Sequence, residues 1–96
     1  MIVVDTHVFI WDALASNRLT PAAKAVLDQA EQNHTLWLAD ISIWEVFMLV
    51  KRGRLNLPVP ASQFIDLALQ ARSYQLQRMT PWIAEQSINF GPEINN

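Results

Sequence analysis

The chain contains no cysteine. Disulfides, zinc–thiolate centres and thiol nucleophiles are excluded with it, and the absence is compatible with a cytoplasmic protein. Glycine is nearly as scarce. Gly53 and Gly91 are the only two, so there is no glycine-rich phosphate loop. Long apolar runs are missing as well. The longest apolar-rich stretch, Ile41 to Val50, is broken by Ser42 and Glu45 and is shorter than the ~20 residues needed to cross a bilayer. No basic residue precedes the short apolar run at the N-terminus, so no secretory signal is read there. These features predict a soluble chain. Positive charge is sparse too: a net charge of −2 argues against a simple electrostatic nucleic-acid binder.

What is present is apolar and ordered in pattern. At 96 residues and 51% apolar, the chain is one domain with enough apolar content for a real core. The charges are unevenly spread. Residues 1–48 hold six acids and two bases, whereas residues 49–96 hold three acids and five bases. Lys51, Arg52 and Arg54 form the single basic cluster. It reads either as a solvated helix end, favoured by the helix macrodipole, or as a phosphate contact.

The stretch Met1-Ile2-Val3-Val4-Asp5-Thr6-His7 organises the reading. A short β-branched run of this kind predicts a strand buried on both faces, as in a parallel sheet. Asp5 ends that strand, where open α/β sheets collect their chemistry. It is either a site residue or, with Thr6, a cap on the following helix. Val8 to Leu14 predicts that helix, capped by Thr6 and broken at Ala15-Ser16-Asn17. Thr20-Pro21 predicts a second helix start, ending at Asn33-His34. Leu36-Trp37-Leu38-Ala39 predicts a second strand, again followed by a carboxylate, Asp40. Asp40 or Ser42 would then cap a very apolar helix running to about Arg52 and stopping at Gly53. Pro58 and Pro60 forbid a helix between Leu55 and Pro60. Ala61 to Arg72 has helical spacing, Tyr74 to Gln77 alternates as a weaker third strand, and Thr80-Pro81 repeats the helix start, with Ile83, Ala84 and Ile88 continuing it. Strand and helix alternate throughout, so the expected class is α/β, with about three parallel strands covered by helices.

Glu45 is the second residue to weigh. Its helical neighbours are Ile41, Ser42, Met48 and Leu49, and a carboxylate in such company is costly without a partner. The partner could be the Ser42 N–H in a capping box, a cation, or a metal ion. Asp5 and Glu45 can converge at one edge of a parallel sheet. Hard divalent cations such as Mg²⁺ bind one or two carboxylates and complete their shell with water, and they assist phosphodiester hydrolysis. His7 and His34 lack metal-ligand spacing, and His7 reads as a partly buried helix-start residue or as a neighbour of the site. An aspartyl phosphatase would require a second Asp two residues after Asp5, where His7 stands.

Val3-Val4-Asp5-Thr6-His7-Val8-Phe9-Ile10-Trp11 resembles the opening of PIN-domain proteins, in particular VapC-type toxins of bacterial toxin–antitoxin pairs. Ser42-Ile43-Trp44-Glu45-Val46, followed by Lys51-Arg52-Gly53-Arg54-Leu55, is similar to their second motif. The resemblance implies a Mg²⁺- or Mn²⁺-dependent endoribonuclease acting on RNA, a VapB-like antitoxin that occludes the site, and a homodimer. It gives Asp5 and Glu45 the metal-binding and catalytic roles, and Thr6 the place of the hydroxyl residue that follows the first Asp. It also leads to an RNA-contact role for Lys51, Arg52 and Arg54.

The family continues past Phe90-Gly91-Pro92 with an Asp-Pro-x-Asp-Arg segment that supplies further acids. Here Glu93 is the only acid in that region. The resemblance therefore implies a truncated PIN-like domain over 1–96, incomplete at the C-terminus, with weakened metal binding and an open apolar edge beside the first strand. The competing expectation is a non-catalytic PIN remnant serving as a dimerisation or antitoxin-binding module.

Overall fold

The computed structural model describes residues 1–86. The expected continuation to Ile88 and the acid Glu93 lie outside them. The class is α/β, built on a three-stranded parallel sheet. In chain order the elements are β1 (Ile2–Val4), α1 (Thr6–Leu14), a 3₁₀ turn (Ser16–Arg18), α2 (Pro21–Gln32), β2 (Leu36–Ala39), α3 (Ile41–Lys51), α4 (Ala61–Ala71) and β3 (Gln75–Gln77). A further helical segment covers 81–86. The strand order is β1-β2-β3, with Val4 opposite Leu38 and Leu38 opposite Leu76.

Successive strand side chains point to opposite faces, and each face has its own core. Val4, Leu36 and Leu38 join Val8, Phe9, Leu27, Val46, Phe64 and Tyr74 on one side. Val3 and Ala39 join Ile83 on the other, with Trp37 and Met79 packed against them. Phe9 is fully buried. Its ring meets Phe64 at 6.2 Å and Tyr74 at 5.1 Å between centroids, both edge-on, the arrangement that aromatic quadrupoles favour. β1 ends the sheet, yet Val3 and Val4 are each only 1% exposed. Among the described residues β1 pairs with β2 alone, so its other edge has no strand partner, while Val3 and Val4 are buried on the two faces of the sheet.

Local signals place the helix ends. The Thr20 hydroxyl accepts the Ala23 N–H at 3.1 Å, and Pro21 occupies the first turn of α2. Thr80 does the same for Ile83 at 3.2 Å. After α3, Gly53 takes a φ of +71°. Its N–H donates to the Val50 carbonyl and the Arg54 N–H donates to that of Leu49, the paired bonds of a left-handed helix stop.

A charged clamp ties the helices together. Arg72, just past α4, donates from Nε to Asp12 at 2.7 Å and from Nη1 to Asp28 at 2.6 Å, with Glu31 at 3.5 Å. The Tyr74 hydroxyl donates to the same Asp12 oxygen at 2.9 Å. The Arg72 pKa stands above its usual value. Burial works against its charge, but the hydrogen bonds to Asp12 and Asp28 outweigh that. Burial first, and the neighbouring Asp12 charge second, raise the Tyr74 pKa well above the usual tyrosine value.

This shift sets an alkaline limit. An acid whose pKa is raised on folding adds stability that is fully present below its unfolded value, about 10 for tyrosine, and is lost as pH rises from there towards the folded value. The melting temperature should therefore fall more steeply above pH ~10 in the wild type than in Tyr74→Phe. Tyr74 is the one tyrosine in the chain, so ultraviolet titration reads its ionisation without overlap from another. A normal titration midpoint would contradict the burial argument.

Candidate functional site

Parallel strands β1 and β2 end at the same edge of the sheet, and α1 and α3 start there. Asp5 occupies the N-cap position of α1 with extended backbone, but its side chain makes no capping bond. Thr6, expected as the cap, is instead the first residue of the helix. Its Oγ1 lies 2.7 Å from Ser42 Oγ in the first turn of α3, and both residues are about 3% exposed. This buried hydroxyl pair joins the two helix starts.

The pair also corrects the capping readings for α3. Ser42 is committed to Thr6, so no capping box with Glu45 forms. Asp40 sits at the N-cap position without capping, and its Oδ1 accepts the Met79 N–H at 3.0 Å. Glu45 lies one turn beyond Ser42, which places it next to Ser42 on the helix surface. Among the described residues Glu45 makes no hydrogen bond or ion pair.

His7 stands beside Asp5 and borders the groove that Glu45 lines. Its Nδ1 is 3.8 Å from Asp5 Oδ2, with side-chain exposures of 55% and 34%. The expectation of a partly buried histidine is corrected, because the imidazole stands mostly in solvent. His7 also lines a groove of about 280 Å³ with Glu45, Trp44, Met48 and Arg52. Lys51 ends α3, and Lys51, Arg52 and Arg54 are all exposed. Arg52 borders the Glu45 groove, whereas Arg54 lines a neighbouring recess.

Among the described residues, no three His, Asp or Glu side chains form a group that could hold a metal ion. Asp5 and Glu45 each offer hard carboxylate oxygens, with no third acid or histidine grouped with them among the described residues. That donor set suits Mg²⁺ or Mn²⁺, which accept one or two carboxylates with water completing the shell. It does not suit a softer ion, since no sulfur is available from cysteine.

The clamp around Arg72 was not foreseen in the sequence. Asp12 lies 60 residues from Arg72 and 62 from Tyr74, beyond any local pattern. Its one trace is Asp12 itself, a charge inside the apolar run of α1. A cavity of about 590 Å³ opens beside this clamp, lined by Phe64, Leu67, Ala68 and Arg72 but by neither Asp5 nor Glu45.

The pair Thr6–Ser42 yields a direct prediction. Thr6→Val should leave the buried Ser42 hydroxyl without a partner, at a cost of about 1–3 kcal/mol. Thr6→Ser should keep most of the stability. The double change Thr6→Val with Ser42→Ala should recover part of the loss, because removing both partners leaves nothing unsatisfied. Urea unfolding measures all three, and equal stability of Thr6→Val and wild type would contradict the hydrogen bond.

Compared with protein-family models, curated proteins and solved structures, the chain matches none. Among the described residues no helix is long and apolar enough to cross a membrane. The fold defines an α/β domain with a three-stranded parallel sheet, Asp5 following β1 at its carboxyl edge and Glu45 on the helix that follows β2.

Proposed function

We propose that this chain carries a PIN-type, metal-dependent endoribonuclease site and acts as a VapC-like toxin, with Asp5 and Glu45 as its catalytic metal ligands. The observation that carries the reading is the buried Thr6–Ser42 bond at 2.7 Å. It holds the starts of α1 and α3 together where the sheet ends and leaves both carboxylates accessible. Glu45 has no internal partner among the described residues and Asp5 has only the exposed His7; carboxylates placed so serve a ligand better than they serve stability.

Bound Mg²⁺ or Mn²⁺ would polarise a phosphoryl oxygen and lower the pKa of a coordinated water. The protein supplies the rest. Asp5 and Glu45 offer the oxygens, the Thr6–Ser42 pair fixes the elements that carry them, and Arg52 puts positive charge in the Glu45 groove for a phosphate. RNA is the substrate in this reading, a VapB-like antitoxin the partner that covers the groove, and the cytoplasm the compartment. The deciding measurement is cleavage of RNA by the purified chain with and without millimolar Mg²⁺. Intact RNA under both conditions counts against the reading.

One observation favours a second reading, the non-catalytic dimerisation module. Ile41, Trp44 and Phe47 are exposed on α3, Trp44 by 55%. Apolar residues at this spacing share a helix face, and aromatic side chains are enriched at interfaces. A homodimer through this face fits either reading. Light scattering that returns a folded monomer at micromolar concentration would remove the dimer from both.

A further inference from the structure

Next to the Glu45 groove lies a second recess of about 330 Å³, lined by His7, Trp11, Arg18 and Arg54 over an apolar floor that includes Leu49 and Leu55. The two hollows share His7 and Leu49, so they lie side by side. The recess is built of flat groups. The Arg18 guanidinium carbon stands 4.7 Å from the centre of the Trp11 ring. The His7 ring lies 6.1 Å from Trp11, tilted by 57°. The left-handed stop at Gly53 brings Arg54 to the rim.

The arginines at this place differ from Arg72. Arg72 is neutralised by three carboxylates. Among the described residues, Arg18, Arg52 and Arg54 form no ion pair, although Arg52 shares a groove with Glu45. Three guanidinium groups without an ion pair among the described residues thus border two adjacent hollows in a chain of net charge −2. Uncommitted cations beside an aromatic wall suit a ligand with both an anionic group and a flat ring. Single-stranded nucleic acids are bound in this way, with bases stacking on aromatic or guanidinium planes and phosphates meeting cations.

We propose that the Trp11–Arg18 recess is a subsite for one nucleotide of a single-stranded nucleic acid. The base lies against Trp11, Arg18 and His7, and the flanking phosphate lies between Arg54 and Arg52. The strand then passes His7 towards Asp5 and Glu45. This last step rests on the nuclease reading; the subsite itself does not. The basic cluster at 51–54 is thereby split. Arg52 and Arg54 face the ligand, and Arg18, distant in sequence, completes the set.

The test uses the full chain carrying Glu45→Gln, so that nothing is cut, and a labelled single-stranded oligonucleotide made both as RNA and as DNA. Binding is followed by fluorescence anisotropy. Arg18→Ala and Trp11→Leu should each weaken binding about fivefold or more, the change that about 1 kcal/mol of stacking produces. Arg54→Ala should also lower the slope of log affinity against log salt by about 0.7. Lys24→Ala, on α2, should change neither. RNA and DNA should respond alike, because stacking and phosphate contacts do not involve the 2′-hydroxyl. Trp11 packs partly against the core, so Arg18→Glu, an exposed change, provides the same test without disturbing the fold.

Absence of oligonucleotide binding by Glu45→Gln overturns the proposal. So does binding that is unmoved by both Arg18→Glu and Arg54→Ala. Arg18-dependent binding by a chain whose wild type cuts nothing keeps the subsite and removes the nuclease reading. Mg²⁺-dependent cutting with Arg18-independent binding does the reverse.

Discussion

Asp5→Asn and Glu45→Gln should each lower Mg²⁺-dependent RNA cleavage at least about a hundredfold. The magnitude follows from the ion's share of the chemistry. Polarising a phosphoryl oxygen is worth several kcal/mol, and about 3 kcal/mol is already more than a hundredfold in rate. Each substitution keeps the shape of the side chain and removes one negative charge from a pair that has no third acid beside it among the described residues.

Neither substitution should unfold the protein. The Asp5 side chain makes no capping bond, and the helix bond near it, Phe9 N–H to the Asp5 carbonyl at 3.0 Å, belongs to the backbone. Glu45 makes no hydrogen bond among the described residues. Both variants should therefore melt within about 0.5 kcal/mol of wild type, as surface changes away from special contacts do. Cleavage that survives both substitutions and the removal of Mg²⁺ would rule out these residues as the site.

Arg72→Ala should be the most damaging single change outside the apolar core. The Asp12 side chain is 10% exposed and loses its cation, while Asp28 is 63% exposed and loses little. Removing one partner of a buried ion pair costs 3–5 kcal/mol, and an exposed pair is worth ~0–1. This mixed case falls at about 2–3 kcal/mol, or roughly 10–20 °C in melting temperature for a domain of this size. Asp28→Ala should cost under ~1 kcal/mol. Replacing Arg72, Asp12 and Tyr74 together by Met, Leu and Phe should recover much of the loss, because neither a buried charge nor the Tyr74 hydroxyl is then left alone. A stable Arg72→Ala protein would mean that Asp12 finds water or another partner.

The elements were legible wherever the signal was local. Thr20-Pro21 started α2, Leu36 to Ala39 formed β2, and Gly53 stopped α3. Each depends on residues within a turn of one another. Locality also misled. Ser42 and Glu45 have capping-box spacing, but Ser42 faces Thr6 across 36 residues. A buried hydroxyl takes the partner that tertiary packing brings to it, and the box gives way. Asp40 likewise holds Met79 rather than its own helix. Asp5 was recognisable as a candidate because it ends a buried strand, and Glu45 because a carboxylate is costly beside apolar neighbours. Trp11 and Arg18 were not, because an aromatic residue and an arginine seven positions apart resemble ordinary helix and turn residues.

The sequence alone determined the alternation of strand and helix, the parallel sheet, and helix limits such as Thr20-Pro21 and Gly53. These follow from side-chain period, proline and glycine geometry, and short-range hydrogen bonding, all of which act over a few residues. Only the tertiary structure decided that Thr6 binds Ser42, that Arg72 gathers Asp12, Asp28 and Glu31, and that Trp11, Arg18 and Arg54 line one recess. Those arrangements depend on how separate elements pack, and burial then selects among partners that sequence spacing leaves equivalent.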